Sequence, residues 1–165
     1  MEVCDFIVAD IDKFDDFYKL KSEPNNIFWS GFDSPPNYAA FKEHYKNELD
    51  REDRTIIFLY IEGDIAGYVA IDFCKKNKTT ETAHGVLSSF AGKGLGKILI
   101  NYAVAYSKKY LTDAEYIIGW IAENNFGSIK NFLSNGYTKS EEFEYRKFLQ
   151  ENNEVKFDKY YLSLK

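Results

Sequence analysis

The spacing of apolar residues changes along the chain, and each change predicts a different kind of element. From residue 3 to 9 they form a short run that is typical of a strand. Over the next forty residues they recur every three or four positions, which predicts one helix ending near Glu23 and a second over about 36–49. The segment between them, 25–37, surrounds three aromatic residues with Asn, Ser, Gly and Pro, and is interpreted as an ordered loop.

The second part of the chain has the pattern of a sheet that is interrupted by helices. Three segments rich in β-formers, 55–61, 65–73 and 81–88, are separated by polar turns and predict antiparallel neighbours. A glycine-rich turn then leads into a helix over about 97–111. The last predicted elements are a strand, a short helix that stops before a glycine, and two strands, at 116–122, 128–134, 137–145 and 155–164. The predicted order is β-α-α-β-β-β-α-β-α-β-β, a mixed, mostly antiparallel α/β sheet flanked by helices.

Length and composition limit the classes of protein to which the chain can belong. The 165 residues, 45% hydrophobic and 28% charged, predict a single globular domain over 1–165. A net charge of −5 is unfavourable for binding nucleic acid, and no apolar run reaches the length of a membrane span, so we expect neither partner. Cys4 and Cys74 form no disulfide framework. We therefore expect a cytoplasmic protein without a metal site.

The sequence GKGLG at residues 92–96 lies between a predicted strand and a helix, where it could bind an anion. Glycines adopt left-handed angles and allow close approach to a ligand, and a helix start presents unpaired N–H groups. Lys93 and Lys97 add positive charge. A Walker loop would need glycine at Ala91 and a hydroxyl at Ile98, and a dinucleotide fingerprint would need its third glycine one residue later. The alternative to a phosphate site is a tight turn that only starts a helix.

Two segments together resemble a known superfamily. Residues 90–99, FAGKGLGKIL, resemble motif A of the GCN5-related N-acetyltransferase (GNAT) superfamily, whose main-chain amides bind the pyrophosphate of CoA. Residues 125–137, NFGSIKNFLSNGY, are similar to motif B, at the spacing that the superfamily has. The resemblance covers nearly the whole chain and implies a GNAT fold, with acetyl-CoA as the acyl donor. It implies coenzyme contacts at Val86, Ser88, Gly92, Lys93, Gly94, Leu95, Gly96, Lys97, Asn125, Ser128 and Phe132.

Two positions depart from the family pattern. Ala91 stands where the family usually has Gln or Arg, which predicts weaker coenzyme binding rather than none. Phe132 stands where many members have a Tyr that protonates the leaving thiolate. A thiol with a pKa near 8.5 is already a fair leaving group, so the missing hydroxyl would cost roughly 2 kcal/mol. Water or another donor, such as Tyr137, could supply the proton.

The acceptor amine must lose a proton, and the strand before the glycine run offers two bases. At pH 7 this loss costs roughly 4.6 kcal/mol for a lysine-like amine but only about 1 kcal/mol for an α-amine. Alternation puts His84 on the face of Val86, where family members commonly carry the proton acceptor, so His84 is the first candidate. Glu81 is an alternative only if a bulge reverses the alternation. A hydrogen-bonded strand histidine and a solvent-exposed carboxylate are the structural interpretations of these two residues.

By the same resemblance, the loop between the first two helices builds the acceptor pocket. Its residues Phe28, Trp29, Phe32 and Asp33 could stack on a ring or hold an ammonium group, or they could simply pack the loop onto the sheet. Trp120 is interpreted as a core residue. The sequence predicts an N-acetyltransferase that acts directly on a small-molecule primary amine, as a monomer or homodimer. A protein N-terminal acetyltransferase and a weak or inactive acyl-CoA-binding module stay open as alternatives.

Overall fold

The structure, a computed structural model, describes residues 2–165, which form seven strands and five helices. The strands are β1 (Cys4–Val8), β2 (Arg54–Ile61), β3 (Asp64–Cys74), β4 (Thr79–Val86), β5 (Tyr116–Ala122), β6 (Thr138–Phe148) and β7 (Asn153–Ser163). The helices are α1 (Phe14–Lys21), α2 (Pro24–Trp29), α3 (Tyr38–Leu49), α4 (Leu95–Tyr110) and α5 (Phe126–Ser134). Among the described residues, no helix combines the length and the hydropathy that a membrane crossing requires.

All seven strands belong to one sheet, in the order β1-β2-β3-β4-β5-β7-β6. Every neighbouring pair is antiparallel except β4 and β5, which are parallel. A parallel pair needs a long crossover connection, and α4 supplies it. The mixed, mostly antiparallel α/β sheet predicted from the sequence is therefore confirmed.

The many aromatic residues mainly fill the cores on the two faces of the sheet. One face packs against α4 and α5, with Leu99 and Ile100 fully enclosed. The other face packs against α1 and α3, where the ring centroids of Phe14 and Phe17 each lie 5.5 Å from that of Tyr45. Large aromatic side chains bury much apolar surface each, so these clusters hold the helices firmly on the sheet.

The segment 25–37, expected to be a loop, is partly helical, and this corrects the sequence analysis. Pro24 is the first residue of α2, where its missing N–H leaves no hydrogen bond unmade. The helix ends at Trp29, and two residues later Gly31 has a left-handed φ of +83°. Six residues are too few to show a helical apolar period, and in the sequence Pro24 indicates only the end of the preceding helix. The later helix also begins at Leu95, two residues before its predicted start.

The parallel pairing of β4 with β5 is short, and this opens the sheet. Residues 79–81 of β4 pair with residues 116–118 of β5. Beyond these pairs β4 continues to Val86 and β5 continues to Ala122 without pairing with each other. The two strands therefore diverge and leave a V-shaped opening, which exposes main-chain groups along the free edge of β4.

Candidate active site

The free edge of β4 presents main-chain groups to the opening. The N–H of Leu87 donates to the carbonyl oxygen of Ala66 in β3 at 2.8 Å. Because consecutive N–H groups along a strand point to opposite edges, the N–H of Val86 points into the opening, as expected for a coenzyme contact. The N–H of Ser88 is already engaged, since it donates to the two carboxylate oxygens of Glu23 at 2.6 and 2.8 Å. The Ser88 hydroxyl donates to Oε1 of the same carboxylate.

The glycine run forms the start of α4 and leaves its N–H groups free. Gly92 and Gly94 have φ values of +77° and +74°, which glycine adopts without strain. At neither position does any atom lie within 4 Å of where a Cβ would be. The first helical hydrogen bond runs from the N–H of Ile98 to the carbonyl oxygen of Gly94, so the N–H groups of residues 95–97 have no acceptor within the helix. Together with the helix dipole, these free N–H groups favour the binding of an anion at this position.

A cavity of about 580 Å³, here called the coenzyme-side cavity, covers this helix start. It is lined by residues expected to contact the coenzyme: Val86, Gly92, Gly94, Leu95, Gly96, Asn125 and Ser128. Asn125 also begins α5, because its Oδ1 accepts from the N–H of Ser128 at 3.3 Å. The segments that suggested motifs A and B are thus brought together around one cavity.

The charged side chains around this cavity differ from those expected. Lys93 lies with its Nζ 3.6 Å from the Glu2 carboxylate and 5.4 Å from the centre of the Phe90 ring. Among the residues described, neither Lys93 nor Lys97 lines the cavity, whereas Lys130 of α5 does. Sequence analysis did not find Lys130, because it lies between the residues that identify motif B.

A second cavity, of about 320 Å³, lies beside the first and is here called the acceptor-side cavity. Both cavities are lined by Asn26, Trp29, His84, Asn125 and Ser128. The two cavities are therefore contiguous, and they meet where β4 and β5 diverge. Ligands bound in the two cavities would therefore contact the same five residues.

The amino-acid sequence itself also matches the sequence model of a known protein family. The sequence model of the acetyltransferase (GNAT) family matches residues 15–137, about three quarters of the chain. The chain belongs to the GNAT family. A search of curated proteins finds no significant match to the sequence.

Solved GNAT structures share the fold over almost the entire chain. The spermidine N-acetyltransferase from Vibrio cholerae, solved with CoA and spermine, has a TM-score of 0.86 and 14% identity, covering 98% of this chain and 95% of that chain. The protein yncA from Salmonella typhimurium, solved with acetyl-CoA, has a TM-score of 0.79 and 15% identity, covering 98% and 94%. A phosphinothricin acetyltransferase from Sinorhizobium meliloti, solved with acetyl-CoA, has a TM-score of 0.80 and 12% identity, covering 97% and 88%. At these identities the likeness establishes the fold.

His84 lies at the junction of the two cavities of this GNAT fold. Its ring centroid is 5.9 Å from that of Phe132, and its Nε2 is 3.7 Å from where a Cβ on Gly96 would lie. Burial lowers the pKa of His84 to about 4, because the enclosing protein disfavours the charged imidazolium. His84 is therefore neutral at pH 7 and is a weak base.

Glu81 lies on the opposite face of β4 and lines the acceptor-side cavity. The register between β3 and β4 is regular from Gly67–Val86 to Cys74–Thr79, so no bulge reverses the alternation. None is needed, because the acceptor-side cavity also extends along the face that carries Glu81. Desolvation, followed by the charge of Asp72, raises the pKa of Glu81 above the ordinary value for glutamate. Of the two candidates, Glu81 is therefore the stronger base.

Phe132 and Tyr137 pack together behind the junction. Phe132 lines the acceptor-side cavity and presses on Gly119, where a Cβ would lie only 2.4 Å from its ring. Tyr137 is buried edge-to-face against Phe132 at 4.8 Å and lines neither of the two cavities. Within residues 2–165 no group hydrogen bonds to its hydroxyl, and burial raises its pKa well above the usual range. The structure thus places this expected proton donor in the core.

Of the residues expected to hold the acceptor, Trp29 lines the acceptor-side cavity. Phe28 packs instead against Trp29 and Phe148, at centroid distances of 4.9 and 5.4 Å. Phe32 is 59% exposed and lines a separate surface groove. Asp33 is exposed and accepts a hydrogen bond from the neighbouring Ser34 hydroxyl. The loop therefore contributes one wall rather than the whole pocket.

The remaining walls come from residues that sequence analysis did not assign to the pocket. They include Lys21, Asn26, Tyr68, Trp120, Arg146 and Phe157. These residues belong to six different elements and meet only because the sheet order brings those elements around the end of the β4–β5 pairing. No spacing along the sequence could have indicated this grouping.

Among these additional residues, Asn26 has an amide whose orientation is set by a hydrogen bond. Its Nδ2 donates to the carbonyl oxygen of Leu20 at 2.6 Å, which fixes the orientation of the amide. Its Oδ1 lies 2.8 Å from where a Cβ on Gly85 would be, so a larger residue at that position of β4 would have to displace the Asn26 amide. Asn26 thus brings a hydrogen-bond acceptor to the junction of the two cavities.

Proposed function

We propose that this GNAT protein transfers the acetyl group of acetyl-CoA directly to a small-molecule primary amine. The observation that carries the proposal is the pair of contiguous cavities, one ending on the anion-binding start of α4 and the other bounded by the Glu81 carboxylate. A diphosphate at the helix start would leave the acyl end of the coenzyme at the opening, where an amine can approach from the other side. The CoA and acetyl-CoA complexes of the structural neighbours support the same donor.

The coenzyme side holds its ligand mainly with main-chain groups. The N–H groups of residues 92–97 receive the diphosphate, and Lys130 adds a positive charge beside it. The N–H of Val86 is available for the amide-bearing arm of the coenzyme along the edge of β4. Because these contacts need no particular side chain, Ala91 in place of Gln or Arg weakens binding without abolishing it.

On the acceptor side, we assign the proton of the amine to Glu81 and the orientation of the amine to Asn26. Transfer from an α-amine to His84, with its pKa of about 4, would cost about 5 kcal/mol, whereas release to water at pH 7 costs about 1 kcal/mol. Glu81 attracts the ammonium form and passes its proton to solvent, while Asn26 Oδ1 accepts a hydrogen bond from the neutral amine. His84 then serves as a neutral group beside the thioester.

Thiol release from acetyl-CoA over a panel of small amines, polyamines and short peptides tests this function. We expect amine-dependent release well above the background hydrolysis, with small amines preferred over peptides. Tight coenzyme binding without release for any amine would instead identify a binding module, the alternative that Ala91 and Phe132 suggest. Release with peptides alone would indicate an N-terminal acetyltransferase.

The exposure of the two cysteines favours a reducing compartment. Cys4 and Cys74 are both free and exposed. Exposed thiols persist in a reducing compartment, so we infer that the protein works in the cytoplasm. A monomer and a homodimer are equally compatible with the proposal, because residues of one chain line both cavities.

A further inference from the structure

We propose that the acceptor carries a carboxylate beside its amine, as an amino acid does, and that Lys21 binds this carboxylate. The inference rests on the proposed function and deepens it, because it names the class of acceptor. It starts from a half-buried ammonium group in the wall of the acceptor-side cavity that has no anionic partner in the protein.

Lys21 is the last residue of α1, and its side chain reaches the cavity wall. Its Nζ donates to the Tyr68 hydroxyl at 3.2 Å and lies 5.4 Å from the centre of that ring. No carboxylate of residues 2–165 lies within salt-bridge distance of this Nζ. An ammonium group has three donors, so Lys21 retains donors that a ligand anion can use.

The other charges of the cavity leave this role to Lys21. Arg146, the second cation in the wall, is already neutralised by Glu144, which accepts from its Nε at 2.7 Å, and the guanidinium lies 4.3 Å from the centre of the Phe157 ring. Arg146 is therefore held against the wall by two contacts. Lys21 is the cation that remains uncompensated.

A zwitterionic acceptor matches this distribution of charge. The wall offers one carboxylate, Glu81, for an ammonium group and one uncompensated cation, Lys21, for a carboxylate. His84 adds no charge at neutral pH. A polyamine would bring several ammonium groups to a wall that offers one carboxylate, Glu81, and already holds the uncompensated ammonium group of Lys21, which is unfavourable. This distribution of charge therefore suits a zwitterionic amine and does not suit spermidine.

The two tryptophans of the chain give a direct readout, because Trp29 and Trp120 both line the acceptor-side cavity. Tryptophan fluorescence can be titrated in CoA-saturated protein with L-amino acids, with their α-carboxamides and with spermidine. The variant is Lys21→Met, and Lys19→Met is the matched control, since Lys19 is exposed on the same helix and outside the cavity. Lys21→Arg retains the charge and tests for rescue.

We expect wild-type protein to bind at least one amino acid roughly ten- to hundredfold more tightly than its carboxamide. Lys21→Met should remove that preference by weakening only the amino acid, while Lys19→Met and Lys21→Arg keep it. Carboxamides or spermidine binding as tightly as the acids would overturn the inference. So would a variant that weakens acid and carboxamide alike, or a panel in which no ligand changes the fluorescence.

The titration separates this inference from the proposed function, because it measures binding and not turnover. Lys21-dependent binding of an amino acid without thiol release would contradict the acetyltransferase function and support only the carboxylate-binding role of Lys21. Thiol release with uncharged amines or polyamines, unaffected by Lys21→Met, would support the function and overturn the inference.

Discussion

The two cavities that meet at His84 are built from different parts of the polypeptide. The coenzyme-side cavity is lined mainly by residues between 84 and 96, which include four glycines, and by the start of α5, with a smaller contribution from α2. The acceptor-side cavity is lined by residues of α1, α2, five strands and α5. The first therefore depends on backbone conformation, and the second depends on which side chains the fold brings together.

This difference predicts different sensitivities. We expect a main-chain site to tolerate changes of side chain, so neither Ala91 nor the direction of Lys93 towards Glu2 should abolish coenzyme binding. It does not tolerate a substitution that strains the backbone of residues 92–97 or fills the space in which the anion would bind. A side-chain site responds in the opposite way, because the removal of one charge alters it while the backbone stays intact.

The largest expected effect is on the coenzyme side, from Gly94→Glu. This change forces a φ of +74° on a residue with a Cβ and places a carboxylate in the anion site. We expect the affinity for CoA to fall by roughly a hundredfold or more, since it removes charge-assisted contacts to the phosphates. Calorimetric titration with CoA measures the change.

Gly63→Glu is the matched control for that experiment. Gly63 lies in the turn between β2 and β3, has a φ of +87°, and also has no atom within 4 Å of a Cβ. Its substitution should strain the backbone comparably and leave CoA affinity unchanged. Equal losses of CoA affinity in both variants, or an unchanged CoA affinity in Gly94→Glu, would contradict an anion-binding site at the start of α4.

The second effect is on the acceptor side, from Glu81→Gln. The amide keeps the shape of the side chain but can neither attract the ammonium group nor accept its proton. We expect kcat/KM for the amine to fall by roughly a hundredfold at pH 7, with CoA affinity unchanged. Steady-state thiol release measures the rate, and calorimetry measures the affinity.

Asp33→Asn provides the comparison, because Asp33 is the acidic residue that the sequence suggested for the acceptor. It is exposed and does not line the acceptor-side cavity, so its substitution should leave kcat/KM within about twofold, as for other surface changes. If Asp33→Asn lowered the rate as much as Glu81→Gln, the acceptor would bind at the loop and not in the cavity.

The same contrast explains what the sequence could predict. Gly92 and Gly94 could be found because a main-chain site is encoded in one short segment, and the order of the sheet elements followed from apolar spacing. Lys21 and Asn26 could not be found, because they join the site only through the sheet topology. The sequence ranks His84 above Glu81 as a base because it gives only the ordinary pKa values of these side chains. Burial lowers the pKa of His84 and raises that of Glu81, and it can be known only from the folded chain.

The smallest effect on turnover is expected at the junction, from His84→Gln. Because the pKa of His84 is about 4, the side chain is already neutral across the working range. We expect kcat to change by less than about tenfold, well below the effect of losing a general base, and the pH–rate profile above pH 5 to keep its shape. A loss of about a hundredfold together with a shifted profile would restore His84 as the base.

His84→Gln should nevertheless change how stability depends on pH. In wild type the unfolded chain takes up a proton near pH 6.5, whereas folded His84 does so only near pH 4, so stability is fully present above pH 6.5 and falls as the pH drops towards 4. For this residue the loss is about 3 kcal/mol by pH 4. The free energy of unfolding, measured by urea between pH 4 and 7, should depend less on pH in His84→Gln than in wild type. Equal pH dependence in the two proteins would mean that His84 is solvated, and the comparison between a neutral junction and a charged acceptor wall would then fail.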